Sequence, residues 1–330
     1  MINYNIDPFY DDFDPTKNYH RILFKPGRAV QARELTQAQT ILQNQVSQFA
    51  SAIYSQNTPV SGGQVTTNLK CNFVKLNTLY SNSAVVVSNL VGQTVQDQYG
   101  IVTAKVLAAS EATGNATTPG DPPTLVVSYL SGQQFTDANT IFVQSQSGTS
   151  ITPVANTITT SSGGVSSVAS VSAGVYYVIN GYNTVNNNQY SIGNFVNVLP
   201  QTVILDKYDN TPSWRIGLVI TESTVTSSTD LSLLDPAAGA SNYQAPGADR
   251  YQITLTLDKR PLTAGNDDAF IELLRMENGV VLKQTDQTVY SAIDDYFAKR
   301  DYETNGDYVV NDFKLTPGPN VSGNTALNMI

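Results

Sequence analysis

The sequence predicts a mainly β, multi-domain protein with a long N-terminal helix and a second helix near the C-terminus. Three observations carry this. From Val60 to about Leu257, short runs rich in Val, Thr, Tyr and Ile alternate with Gly, Asn, Pro and Ser turns, the pattern of many short strands. Leu35, Ala38, Leu42, Val46, Phe49 and Ile53 recur every three or four residues, the period of one helical face. The chain has 330 residues, and a single core stops growing near about 250 to 300, so more than one packed unit is expected.

Residues 1–31 read as an extended arm. Met1 to Gly27 is rich in Asp, Asn, Tyr, Phe and Pro, is punctuated by Pro8 and Pro15, and ends in the turn Phe24 to Gly27. Such an arm is ordered only where it lies on something, and Tyr4, Phe9, Tyr10 and Phe13 are its candidate anchors. The helix follows, from Ala32 to about Gln56. Gln37, Gln39, Gln43, Asn44, Gln45 and Gln48 fill much of its polar surface, and after Glu34 no charge appears until Lys70. A solvated helix normally carries Glu and Lys pairs four residues apart. Their absence leaves two readings, a surface helix packed on its own domain or a helix shared between subunits, and the second is favoured.

Candidate strands are Phe73–Tyr80, Ala84–Leu90, Ile101–Leu107, Leu125–Tyr129, Val175–Ile179, Val203–Tyr208, Ile216–Thr221 and Gln252–Leu257. Asn180-Gly181 reads as a hairpin turn. Residues 57–90 and 159–260 would form the main β domain, and 91–158 a small inserted barrel-like domain of self-contained composition. Residues 261–330 would supply a hairpin across Glu277-Asn278-Gly279, a helix over Val289–Thr304, a strand at Asp307–Val310 and a loop-like end from Thr316.

Composition narrows the function. Charged residues are 14% of the chain against roughly 25% in an ordinary soluble domain. Amides and hydroxyls replace them, and these cost less than charges to desolvate at an interface. The net charge of -9 and the lack of a basic stripe argue against nucleic acid as a partner. No apolar run approaches the roughly 20 residues of a membrane-spanning helix, and the first ten residues do not read as a secretory leader. The single cysteine, Cys71, excludes a disulfide within the chain and reads as buried and inert.

Catalytic patterns are not evident. His20 is the only histidine, which disfavours His-rich metal sites and Ser/His/Asp triads. The pairs Asp11-Asp12, Asp267-Asp268 and Asp294-Asp295 are sequence neighbours whose side chains point apart. No enzyme activity, metal or cofactor is expected. Interface residues are Phe9, Tyr10 and Phe13 on the arm and Leu35, Leu42, Val46, Phe49 and Ile53 on the helix. Arg28, Arg33 and Glu34 would give polar specificity at the helix start.

Three stretches carry a resemblance. FKPGRAVQARELTQAQTILQNQ (Phe24 to Gln45), SLLDPAAGASNYQAPGADRYQITLTL (Ser232 to Leu257) and YFAKRDYETNGDYVVNDFKL (Tyr296 to Leu315) resemble an uncharacterised domain family. That family occurs in tail-fibre and baseplate-associated proteins of T4-like phages, notably those of marine cyanobacteria. The resemblance implies a virion structural protein, assembled in the host cytoplasm, that anchors distal fibre parts to the tail. It also implies a homotrimer whose partners are itself and other tail or baseplate proteins, with the host surface reached through more distal parts. A second reading is a carbohydrate-binding adhesin that stacks sugars on Tyr176, Tyr177 and Tyr182. A polysaccharide depolymerase is a remote third.

Overall fold

The computed structural model describes residues 4–113, 120–132, 134–144, 151–159, 164–185, 188–265, 267, 269–285, 291–306, 315–319 and 325–329. It is mainly β, with two α-helices among the described residues. The chain divides into two compact units, Met1–Val289 and Tyr290–Ile330.

The first unit opens with the arm, whose only regular structure among the described residues is a 3-10 turn at Pro15–Lys17. Helix α1 spans Ala32–Ser51. It stops five residues short of the expected Gln56. The amides of Ile53 and Tyr54 both turn back onto the carbonyl of Ala50, at 2.9 and 2.8 Å. Tyr54 then wedges against Tyr177 and Phe195, with ring centroids 6.2 and 5.9 Å away. Asn57 takes a left-handed φ of 58° and sends the chain into the sheets.

The strands of this unit are β1 (Thr58–Gly62), β2 (Val65–Leu76), β3 (Leu79–Tyr80), β4 (Ser83–Ala84), β5 (Thr94–Gln96), β6 (Thr103–Ser110), β7 (Thr124–Ser131), β8 (Thr140–Gln144) and β9 (Ile151–Thr159). They continue with β10 (Val165–Val171), β11 (Gly174–Val185), β12 (Asn188–Val198), β13 (Gln201–Asp206), β14 (Trp214–Val225), β15 (Arg250–Pro261), β16 (Phe270–Glu277) and β17 (Val280–Gln284). Sheets β1-β11-β12 and β15-β14-β16-β17 pack with β13, β10 and the start of β2 around one core. Tyr176, Val178, Leu205, Ile216, Leu218, Leu274 and Met276 fill it.

A second core lies inside a closed ring. The order β2-β7-β6-β5-β8-β9 returns to β2 through the pairs Lys75↔Thr159 and Leu76↔Thr157. Closure leaves the ring without a free edge. Val74, Leu76, Val95, Val106, Leu125, Phe135, Ile141 and Ala155 are buried in it. The segment 91–158 is therefore not self-contained, because the ring needs the second half of β2. Cys71 sits on that shared strand, buried among Ala108, Val126 and Val168.

Other expectations need correcting. Ala84–Leu90 is not a strand. Glu111 accepts hydrogen bonds from the amides of Val87 (3.0 Å) and Ser88 (2.8 Å), and the chain bends into a 3-10 turn at Ser88–Leu90. Asn180-Gly181 is not a hairpin turn but lies within β11. The pairing passes from Ile179↔Gly193 to Tyr182↔Ser191, so one extra residue is taken up as a bulge. The hairpin Phe270–Gln284 does not group with the C-terminal region, because β16 pairs along β14 and completes the sheet.

In the second unit, helix α2 covers Ser291–Asn305 and ends at Gly306 with a φ of 67°. Strands β18 (Leu315–Pro319) and β19 (Thr325–Met329) pair antiparallel where a loop was expected. β18, with two prolines and a glycine in five residues, lacks the apolar alternation that signals a strand. The strand expected at Asp307–Val310 lies outside the described residues.

Candidate functional site: an assembly surface around the first helix

α1 has two unlike faces. Thr40, Ile41, Ser47 and Ala50 are buried against the rest of the first unit. Ser47 Oγ accepts a hydrogen bond from the amide of Gly193 at 2.6 Å. The hydroxyl of buried Tyr177 donates to the Ser47 carbonyl at 3.0 Å and lies 2.7 Å from Ser51 Oγ. A Cβ on Gly193 would lie 2.0 Å from the Tyr177 hydroxyl, so only glycine lets β12 approach the helix. Small and hydroxyl-bearing residues thus seat α1 through hydrogen bonds and close approach.

The opposite face is apolar and open. Leu35, Leu42, Val46 and Phe49 are 54, 62, 45 and 71% exposed. At about 100° per residue they cluster roughly opposite Thr40, Ser47 and Ser51. This inverts the ordinary amphipathic arrangement, in which the large apolar residues face the core. Ile53 lies beyond the helix end and is half-buried, apart from that stripe.

The arm lies along α1. Asp11 is buried, accepts a hydrogen bond from the Thr40 hydroxyl, and accepts another from the amide of Phe13 at 3.3 Å. Burial raises its carboxyl above the ordinary value, outweighing those two bonds. Asp12 takes Gln37 Nε2 at 3.2 Å and faces Arg33 at 3.5 Å. Gln45 lies 3.4 Å from His20. Of the expected anchors, Phe13 is buried and Phe9 half-buried, while Tyr10 is exposed and bonds only locally to Asp7. Phe9 stacks edge-on with Tyr4, which meets Tyr251 in the same way at 5.2 Å. A cavity of about 570 Å³ lies under the arm, with Tyr4, Asp11, Gln39, Gln43, Thr224 and Tyr251 among its walls. Burial pushes the Tyr4 hydroxyl up to about 12.

At the helix start, Glu34 accepts from the amide of Gln31 at 2.9 Å and so caps α1. Arg33 donates to Gln31 Oε1 at 2.6 Å besides facing Asp12. These two residues organise their own chain, and Arg28 stays exposed in the preceding turn. Sequence patterns did not mark Thr40, Ser47, Ser51 or Gly193, and they suggested other roles for Asp11 and Tyr177. One signal could have found the first three: Thr36, Thr40, Ser47 and Ser51, spaced 4, 7 and 4, place hydroxyls on one helical face.

Elsewhere, two partly buried carboxylates, Asp121 and Glu272, are engaged by cations. Burial of Asp121 is outweighed by bonds from Tyr208, Lys207 and Lys75, which hold its carboxyl below the usual range. Glu272 is partly buried too, but Arg275 and Arg215 together lower it. Neither holds a proton to donate near neutrality. Among the described residues, no group of three or more His, Cys, Asp or Glu side chains could hold a metal. Tyr176 and Tyr177 are fully buried, which removes them as sugar-stacking surfaces, and the side chain of Tyr182 lies outside the described residues.

Residues 8–95 and 149–329 match a family described as a domain of unknown function, DUF4815. The chain belongs to this DUF4815 family. The match passes over 96–148, which holds β6, β7 and β8 of the ring, whereas β2 and β9, which close it, lie inside the match. Searches of curated proteins and of solved structures each returned no match.

Proposed function

We propose that this DUF4815 chain is a non-enzymatic structural component of a bacteriophage tail, a tail-fibre or baseplate-attached protein that anchors distal parts to the virion. The observation that carries the self-association in this reading is the outer face of α1. Four large apolar side chains stand in water on a helix already seated by its other face. Fully burying each would contribute about 1.5 to 3 kcal/mol. Their spacing suits helix-on-helix packing between copies, with Gln45 beside the seam to fix register. The phage assignment and the homotrimer rest on the three sequence stretches that resemble tail proteins.

The test has two arms. Light scattering should show a stable oligomer for the wild type. Leu42→Asp and Phe49→Asp should yield smaller species with unchanged circular dichroism, since both side chains project away from the fold. A folded wild-type monomer would overturn self-association through this face. Antibody labelling of virions should place the chain at the tail; label elsewhere, or none, would overturn the phage assignment.

A further inference from the structure

The fold leaves a second apolar feature open, far in sequence from α1. Strand β17 is the last strand of its sheet and pairs with β16 alone among the described residues. All five of its residues are exposed, with Val280 at 62%, Val281 at 43% and Leu282 at 56%. Val280 and Val281, ahead of a bulge at Leu282, point to opposite faces, so both faces of this edge carry apolar side chains. Proteins commonly guard edges with charge, proline or a covering segment. Here Lys283 is the only charge on the strand.

The same chain carries a segment of the complementary kind. Tyr19-His20-Arg21-Ile22-Leu23-Phe24 belongs to no helix or strand. Among the described residues none of its backbone amides or carbonyls is hydrogen-bonded. Tyr19, Leu23 and Phe24 are exposed. A free backbone with apolar side chains on alternate sides is what an open sheet edge accepts as an added strand. The lengths agree: six residues span about 20 Å and the five of β17 about 17 Å. Lys25 to Gln31 then link the segment to α1, a tether that can reach about 23 Å when extended.

We infer that Tyr19–Phe24 of one copy adds as a strand to the outer edge of β17 in a second copy. The partner is thus this same chain, joined by arm exchange. The added strand pairs the outward backbone groups of β17 with the facing half of its own and covers apolar side chains on both faces of the edge. None of the outer-face residues of α1 takes part, so this inference and the helix interface fail independently.

Cysteine trapping on the full chain tests it. Cys71 is buried, so the wild type supplies a blank under mild oxidation. Chains bearing Leu23→Cys and a mass tag are mixed with untagged chains bearing Val281→Cys, and the expected product is the mixed disulfide dimer. Adding Val280→Lys and Leu282→Lys to the Val281→Cys chain should reduce that dimer at least tenfold with circular dichroism unchanged. Absence of the mixed dimer, or its persistence through those charges, would overturn the inference. A mixed dimer that still forms with Leu42→Asp in both chains would separate arm exchange from the helix interface.

Discussion

At the scale of single residues, α1 is held by very few atoms. Ser47 Oγ is the acceptor for a buried Gly193 amide, and Tyr177 spans Ser47 and Ser51. Ser47→Ala leaves that amide without its partner and should cost about 1 to 3 kcal/mol. Gly193→Ala drives a methyl into the Tyr177 hydroxyl and should cost a similar 1 to 3 kcal/mol through overpacking. Both changes sever the same contact, so the double variant should lose less than the sum of the two. Urea unfolding of the three variants checks this. Strict additivity would mean that the helix is seated elsewhere.

At the scale of elements, the arm and α1 form a pH-sensitive pair. Burial raises the Asp11 carboxyl, so the docked arm favours the protonated form over the free arm. Docking strength from this group is therefore fully present below the ordinary value near 3.8 and is lost as pH rises through the raised value in the fold. Thr40 on α1 faces Asp11 through its hydroxyl, which also lies 3.3 Å from the Thr36 carbonyl, while Asp12 beside Asp11 adds a like charge. Proteolysis of the arm should slow on acidification from neutral pH, and Asp11→Asn should keep it slow at both values. Equal pH dependence in wild type and Asp11→Asn would refute the role of this carboxyl.

Elements were also where the sequence was most and least readable. Periodicity located α1 and α2 to within a few residues, because a helical face repeats over many turns. It also led to the stripe Leu35, Leu42, Val46 and Phe49. It could not tell which way that stripe faces, since a monomeric core and an intersubunit seam share one period. Strand positions were legible from β-branched runs, as at β7 and β14. Ring closure through Leu76↔Thr157 was not, because pairing partners far apart in sequence leave no local mark. Asn180-Gly181 shows the same limit: its chemistry suits a tight turn, and the pairing of β11 with β12 absorbs it as a bulge.

At the scale of the first unit, β2 decides whether ring and body are separate. Its first half carries Val65 into the body core, and its second half carries Val74 and Leu76 into the ring core. The ring cannot open at β7 or β9 without stripping partners from a strand that the body also needs. Asp121 adds a tie, since it joins Lys75 at the end of β2 to Lys207 just after β13. Cooperative unfolding of the two cores follows, although the family match passes over three of the ring strands. Two native probes report on it. Trp214, the only tryptophan, donates its indole N–H to Asp206 at 3.1 Å and reports the body. Cys71 lies where β6 and β7 of the ring meet β10 of the body, and burial pushes its thiol up to about 11, so it reacts only once that junction opens. In a urea series, the loss of native Trp214 fluorescence and the onset of Cys71 labelling should share one midpoint. Labelling that precedes the fluorescence change would show the ring peeling from β2 on its own, as expected of an insert that folds by itself.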